Sequence, residues 1–192
     1  VGNGTIRTKV VGSEDREPTP DELDRMKDLV RQAMEHGALG LSTGLYYVPG
    51  NFATTEEVIE LSKVASEHGG IYISHMREEA SKIIDSVKET ILIGEKGKIP
   101  VQITHHKVIG AKNWGLSVET LALVDEARRR GIDITIDQYP YTASQTYLKA
   151  LVPQWAQEGG RKNLVKRLKD PEMRILIKDQ IVQNILFDRG GG

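Results

Sequence analysis

Apolar residues recur at helical spacing in four segments of the chain, and a short apolar run follows each segment. The first helix is predicted to begin at residues 19–22, where Thr19 can cap it, Pro20 suits its first turn and Glu22 completes a capping box. Residues 54–57 repeat this capping pattern, and Ser117 can cap the fourth helix. The strands predicted after these helices are residues 38–42, 71–74, 100–104 and 132–136.

The predicted strands begin near residues 38, 71, 101 and 132, at steps of 33, 30 and 31 residues. Strands and helices alternating at this period indicate β-α-β units and a parallel sheet, either doubly wound or part of a (β/α)8 barrel. Polar residues end every strand, and no Gly-x-Gly-x-x-Gly turn is present. Because a barrel gathers its strand ends at one mouth, we predict an α/β fold, a partial (β/α)8 barrel of about four βα units.

The length of the chain limits how much of a barrel it can form. A complete barrel takes roughly 250 residues, whereas this chain has 192 and starts with Val1. We expect residues 1–144 to be the central part of a barrel from a longer protein, entered by a loop at residues 1–7. Residues 145–192 predict a helical insertion on the rim, with one helix starting at residues 170–172. Open sheet edges favour self-association by strand pairing.

Composition and charge exclude several classes of partner. Lys and Arg total 26 and Asp and Glu total 27, so the net charge is -1. No broad positive field is available to hold nucleic acid or an anionic membrane, and the basic stretch at residues 161–169 is interpreted as a solvated helix face. No apolar run approaches the roughly 20 residues of a membrane span. The absence of cysteine leaves the redox compartment unreadable. No secretory signal pattern opens the chain, and we expect a cytoplasmic protein that acts on a small molecule.

Two histidines are the strongest candidates for chemistry. His75 and His105 follow neighbouring predicted strands and lie 30 residues apart, one βα unit. Neighbouring strands are about 4.8 Å apart, so the two imidazoles can converge on one zinc ion, or each can simply form hydrogen bonds inside the barrel. His106 should face the opposite side of its strand in a supporting role. His36 and His68 lie near helix C-termini and are predicted to be surface residues.

Charged and hydroxyl side chains follow the same strand ends. Arg77 and Lys107 each lie two residues past a candidate ligand, so either can bind a substrate carboxylate or pair with a rim acid such as Glu78 or Asp137. Asp137 can also be a metal ligand or a hydrogen-bond partner of a ligand histidine. The segment 137–144, Asp-Gln-Tyr-Pro-Tyr-Thr-Ala-Ser, offers hydroxyls that can orient a polar ligand.

Several long motifs resemble one enzyme family. They are residues 37–50 (GALGLSTGLYYVPG), 71–77 (IYISHMR), 101–107 (VQITHHK), 113–115 (NWG) and 137–144 (DQYPYTAS). In this order they resemble the N-acyl-D-amino-acid deacylase (D-aminoacylase) family of the amidohydrolase superfamily, along nearly the whole chain.

The resemblance implies a zinc-dependent hydrolase that removes the acyl group from N-acyl-D-amino acids on a (β/α)8 barrel. It implies one or two zinc ions in the full-length enzyme, with His75 and His105 as ligands. The family's carboxylate-recognising lysine matches Lys107. Further substrate-pocket residues are matched by Tyr47, Tyr139, Tyr141 and Ser144.

The chain also departs from the family pattern. The family's His-x-His pair on its first strand, its metal-ligating cysteine and the catalytic aspartate of its eighth strand have no counterpart here. Asn3 stands where many relatives carry His. We therefore expect the isolated chain to be inactive, and its zinc binding is left open. The alternatives are a non-catalytic half-barrel or interaction module, and another amidohydrolase such as a cyclic-amide or dipeptide hydrolase.

Overall fold

A computed structural model describes residues 1–188 of the chain. Its four strands are β1 (Gly40–Gly44), β2 (Ile71–His75), β3 (Val101–Ile103) and β4 (Ile134–Ile136). Its helices are α1 (Asn3–Val10), α2 (Pro20–Glu35), α3 (Thr55–Glu67), α4 (Ile83–Gly97), α5 (Ser117–Arg129), α6 (Gly160–Lys169) and α7 (Pro171–Asp188). Short 3-10 turns occupy parts of the connecting loops.

The four strands form one parallel sheet in the order β1-β2-β3-β4. Each helix from α1 to α5 packs against the next one, so these helices form a single layer along the sheet. A doubly wound sheet would reverse its strand order at a switch point and carry helices on both faces. Sequential order with one helical layer is instead the arrangement of a barrel segment, and the predicted partial (β/α)8 barrel is confirmed.

The core lies between the helices and the sheet. Side chains of α2, α3 and α4 that are fully buried here include Met26, Leu61 and Ile93. Tyr72 of β2 is also fully buried, and its hydroxyl bonds the Thr43 hydroxyl at 2.8 Å. Burial raises the pKa of Tyr72 to about 12, so this hydroxyl stays protonated in the core.

The three predicted helix caps have three different outcomes. At α2 the capping box is confirmed, with Thr19 and Glu22 each accepting from the other's backbone N–H. At α3 Thr54 caps the backbone N–H of Glu57 at 3.2 Å, but the Glu57 carboxylate does not return the bond because it is turned toward α1. At α5 the predicted cap is wrong, since Ser117 is already the first helical residue and Leu116 stands at the cap position.

The stability of the protein is expected to depend on pH through Glu22 at the start of α2. Hydrogen bonds from Arg16 and from the Thr19 backbone lower the pKa of Glu22 from 4.5 to about 2. Because its folded-state pKa is depressed, its stabilising contribution is present above about pH 4.5 and is lost as the pH falls toward 2. We expect Glu22→Gln to flatten the dependence of the urea midpoint on pH across this window. Glu35→Gln, at an exposed position of the same helix, should leave that dependence as in the wild type.

Residues 3–10 form helix α1, so the predicted loop at residues 1–7 is wrong. The glycines on either side of Asn3 hide the helix in the sequence, since glycine disfavours helix formation. The helix is held by burial: Ile6 packs in the core, while the fully buried Arg7 pairs with Glu57 of α3. Asn3 donates to the same carboxylate at 3.3 Å, so α1 is fixed to α3 by a buried polar cluster.

The first two residues continue the sheet beside β1. Gly2 forms a parallel bridge to Ser42, and the Ser42 backbone N–H donates to the Val1 carbonyl at 2.9 Å. Among the described strands, β4 stands at the other end of the order. Self-association through such edges stays a prediction.

The segment after residue 145 is helical, as predicted. Helix α7 begins at Pro171, and the Asp170 carboxylate accepts from the backbone N–H of Glu172 at 2.9 Å, which confirms the predicted helix start. The division of the chain into residues 1–144 and 145–192 stays a prediction, and residues 189–192 lie outside the described part. Within residues 1–188 no helix is both long enough and apolar enough to cross a membrane.

Candidate metal and substrate site

The register of β2 and β3 brings the two predicted histidines together. Ser74 pairs with Ile103, and the Thr104 backbone N–H continues the ladder to the Ser74 carbonyl at 3.0 Å. His75 ends β2 and His105 lies just beyond β3, so both leave the sheet at its carboxyl edge. Nδ1 of His75 is 2.8 Å from Nε2 of His105, and the ring centroids are 4.6 Å apart.

An unusual backbone conformation aims the His105 ring. Its φ is 43°, in the left-handed region that residues with a side chain seldom adopt. The Asp137 carboxylate, at the end of β4, accepts from the His105 backbone N–H and from the Gln102 side-chain amide. Asp137 therefore supports the turn that carries His105 through a main-chain contact. Both its carboxylate oxygens are engaged in this role.

A third residue of the site, Glu79, was missed by the sequence analysis. It lies in the loop after β2, and only 6% of its surface is exposed. Its Oε1 is 3.1 Å from Nδ1 of His105, and its Oε2 is 2.5 Å from Nζ of Lys107. Burial favours the neutral acid, but His105 and the charges of Lys107 and His75 outweigh it, so the pKa of Glu79 lies below its ordinary value.

The donor set of this cluster fits a divalent transition metal. The ligand atoms of His75, Glu79 and His105 lie within 4.8 Å of one another. Two nitrogens held by one tetrahedral zinc ion at 2.0–2.1 Å would be roughly 3.3 Å apart, so the facing nitrogens need to separate by only about 0.5 Å. Oε1 of Glu79 is buried and accepts no well-directed hydrogen bond from any residue in the range 1–188. Imidazole nitrogens with a nearby carboxylate are ligands that zinc accepts.

Lys107 lies at the same mouth, next to His105. Its Nζ is 3.0 Å from Nδ1 of His105 and 5.7 Å from the centre of the Tyr139 ring. Its ion-pair partner is Glu79, and neither Glu78 nor Asp137, the acids named from the sequence, takes this place. Burial raises the pKa of Tyr139, whose hydroxyl also interacts with Ser144, so it is a hydrogen-bond donor at neutral pH.

Arg77 is fixed to the protein itself. Its guanidinium makes a two-pronged ion pair with Glu89 of α4, again a different acid from those named from the sequence. It also donates to the carbonyls of Asn51 and Ala53, at 2.8 and 2.9 Å. These carbonyls belong to the loop after β1, which carries Tyr47. The present contacts of Arg77 hold this loop, and its predicted contact with substrate stays a prediction.

Removing the guanidinium should loosen the loop after β1. We expect Arg77→Met to raise the hydrogen-exchange rates of residues 45–53, because two backbone carbonyls lose their donors and Glu89 keeps only the Thr55 hydroxyl as a partner in this cluster. Arg31→Met, which removes an exposed guanidinium paired with Asp28, is the matched control. Unchanged exchange in this loop of Arg77→Met would show that the clamp contributes nothing to its order.

The tyrosine loop and the tail meet above the histidines. Tyr47 lies 5.0 Å from the His75 ring centre, and its hydroxyl bonds the Thr146 hydroxyl at 2.9 Å. The Tyr46 hydroxyl donates to the Ala150 carbonyl at 2.7 Å. Together they border a cavity of about 1160 Å³, which Tyr139, Tyr141 and Ser144 also line. The predicted metal and substrate residues thus border one cavity, although Tyr141 is 74% exposed and Asp137 is not among the residues that line it.

The remaining histidines lie where the sequence places them. His106 is buried on the other side of its strand, and its Nε2 is 2.9 Å from the Thr120 hydroxyl. Burial lowers the pKa of His106, so its ring is neutral and serves as a structural hydrogen-bond partner. His36 and His68 cap the C-termini of α2 and α3 at the surface, as predicted.

Comparisons with known proteins agree with this geometry, although no family model matches the chain. The chain is 46% identical over 149 residues to a D-aminoacylase of Alcaligenes xylosoxydans xylosoxydans, covering 78% of this chain and 31% of that protein. It is 35% identical over 158 residues to an N-acyl-D-glutamate deacylase of the same organism, covering 82% of this chain and 32% of that protein.

Two solved structures share the fold. One is an N-acyl-D-glutamate deacylase from Bordetella bronchiseptica, complexed with zinc and a phosphonate inhibitor that mimics the tetrahedral intermediate. It gives a TM-score of 0.71 at 38% identity, over 73% of this chain and 30% of that one. The other, a D-aminoacylase, gives 0.72 at 44% identity, over 75% of this chain and 30% of that one.

A barrel segment with paired imidazoles at its strand ends, superimposing on these proteins, is the architecture of the amidohydrolases. Within that class, the chain belongs to the family of D-aminoacylases and N-acyl-D-amino-acid deacylases. It spans about a third of the length of the curated relatives it matches.

Proposed function

We propose that this chain supplies the centre of the pocket of a metal-dependent hydrolase acting on N-acyl-D-amino acids. The reaction would cleave a linear amide bond and give a carboxylate and a free D-amino acid. The observation that supports it most is the convergence of His75 Nδ1 and His105 Nε2 at the barrel mouth, with the Lys107 ammonium close by. Relatives named for this activity strengthen the proposal.

The metal is proposed to be zinc, held partly by His75 and His105. Held there by the two imidazoles, the ion would supply a water acidic enough to act as hydroxide near neutral pH and a positive charge for the amide carbonyl. Catalytic zinc usually has three protein ligands, and no cysteine is present in this chain. Further ligands and the proton-transferring aspartate would therefore come from parts of the protein outside this chain.

The remaining pocket residues would bind the D-amino-acid part of the substrate. Lys107 would hold the carboxylate, because a partly buried ammonium next to a strand end offers a strong charge-assisted hydrogen bond. Its present partner Glu79 would have to share it, since both bind through Nζ. Tyr139 and Ser144 would donate to the same carboxylate, while Tyr47 and Tyr141 line the cavity where the acyl group or side chain fits.

The binding step can be tested on the chain itself. In the presence of Zn²⁺, we expect calorimetric titration to show tighter binding of N-acetyl-D-methionine than of its L-enantiomer. Lys107→Met should abolish this difference, whereas Lys82→Met, at an exposed rim position of the same cavity, should keep it. Equal affinity for both enantiomers would contradict the proposed specificity.

Turnover is a separate readout. Because the chain lacks part of the ligand set, we expect no hydrolysis of N-acetyl-D-methionine above a blank containing the metal alone. Hydrolysis by the isolated chain that disappears in His75→Ala would show that these residues already form a complete active site.

A further inference from the structure

Glu79 contacts both His105, a proposed metal ligand, and Lys107, the proposed carboxylate-binding residue. One carboxylate oxygen faces the ring of His105, and the other pairs with the ammonium of Lys107. The side chain is 6% exposed, and its Oε1 accepts no well-directed hydrogen bond from the described residues. A buried carboxylate oxygen in this state attracts a donor, because leaving it unsatisfied is costly. The nearest ring nitrogen is Nδ1 of His105.

The geometry separates the two nitrogens of His105 into different roles. Nε2 faces His75 at 2.8 Å, on the side where a metal would bind, while Nδ1 faces Glu79 at 3.1 Å. Glu79 therefore contacts His105 at the nitrogen that does not face His75, while its carboxylate stays within 4.8 Å of a ligand atom of each ring. A carboxylate in this position accepts the ring N–H and leaves the other nitrogen with its lone pair toward the metal.

A contact from Lys107 competes with Glu79 and favours the other tautomer of His105. Nζ of Lys107 is 3.0 Å from the same Nδ1 and can donate to it, which would place the ring proton on Nε2. The proton on Nε2 would block metal binding at that nitrogen. The Lys107 ammonium is also drawn to Oε2 of Glu79, at 2.5 Å, so one carboxylate acts on both groups.

We propose that Glu79 is a positioning residue, which fixes His105 in the tautomer protonated on Nδ1 and so presents Nε2 to the metal, while it holds Lys107 at the mouth. The inference rests on the proposed metal site and adds to it a residue that the sequence motifs do not indicate. In the proposed role Glu79 acts on the metal site through Nδ1 of His105, the nitrogen that does not face His75, and not as a ligand.

The tautomer is directly measurable in the metal-free chain by long-range ¹H–¹⁵N NMR of the histidine rings. In the wild type, the signature of a protonated Nδ1 is expected for His105. Glu79→Met, which cannot accept a hydrogen bond, should move His105 toward protonation at Nε2. Glu79→Gln keeps an acceptor oxygen at the same place and should retain much of the wild-type signature.

Zinc affinity provides the second readout, measured by calorimetric titration with Zn²⁺ alone. Loss of an outer partner of a ligand histidine typically lowers metal affinity about 10- to 100-fold, and Glu79→Met should fall in this range, with a smaller loss for Glu79→Gln. Asp85→Asn removes one negative charge from the lining of the same cavity and should bind zinc as the wild type does.

The outcomes are distinguishable from failure of the proposed function. A wild-type His105 protonated on Nε2 overturns the inference without any variant, and so does a Glu79→Met protein with wild-type tautomer and affinity. Zinc binding through Nδ1 of His105 together with Glu79 overturns it too. A wild type with the predicted tautomer that binds no zinc supports the role of Glu79 and contradicts the metal site.

Discussion

Replacing His75 with alanine is expected to lower the affinity of the chain for Zn²⁺ by at least about 100-fold, a few kcal/mol per lost ligand on the scale of known zinc sites. The site brings only two imidazoles and one carboxylate together among the described residues. Without His75, one imidazole and one carboxylate remain of this group, and the carboxylate of Glu79 is already engaged by Lys107. His105→Ala should have an effect of the same size.

This loss should be specific to the barrel mouth. His36→Ala and His68→Ala remove imidazoles at exposed helix ends, so both variants should titrate with Zn²⁺ as the wild type does. Absorption spectra with Co²⁺ would check the result independently. Wild-type affinity in His75→Ala would refute the assignment of His75 as a ligand.

The largest effect on stability is expected at the buried pair of Arg7 and Glu57. Neither side chain is more than 1% exposed, and Arg7 also donates to the backbone carbonyls of Glu14 and Arg16. Arg7→Met would leave the Glu57 carboxylate buried with only Asn3 as a donor in this cluster. Breaking a buried pair from one side costs about 3–5 kcal/mol, and the free energy of unfolding in urea should fall by this amount.

A double replacement distinguishes the loss of the ion pair from the cost of leaving one charge buried without a partner. Arg7→Met combined with Glu57→Met removes both charges, so its destabilisation should be much smaller than that of either single change. The exposed pair of Arg31 and Asp28 provides the control, because Arg31→Met should cost less than about 1 kcal/mol. If Arg7→Met is as mild as Arg31→Met, the buried pair does not anchor α1.

The helical periodicity and the apolar runs between the helices were sufficient to predict the sheet and the helices that follow its strands, because these features depend on local patterns. The predictions failed where a contact between residues far apart in the sequence determines the local structure. The helix at residues 3–10 depends on Glu57, which lies 50 residues beyond Arg7 and has no local signal. The same contact explains the incomplete capping box at α3, since one carboxylate cannot serve both partners.

The site shows the same limit. His75 and His105 were predictable because strand ends in a parallel sheet meet at one edge, which a spacing of one βα unit reveals. Glu79 lies in an irregular loop within the charged run Arg77-Glu78-Glu79, where no periodicity separates a buried acid from its exposed neighbours. Its position four residues after a candidate ligand was the only available signal. The acids that pair with Arg77 and Lys107 were likewise beyond prediction, because loop conformation selects among several candidates.

The left-handed backbone at His105 has a consequence for the stability of the fold. A residue with a side chain held at a positive φ costs the fold of order 1 kcal/mol or more, which glycine would avoid. Glycine at this position would relieve the backbone but remove the imidazole. The turn therefore carries a conformational cost that the fold of the strand does not require and that only the ring of His105 offsets.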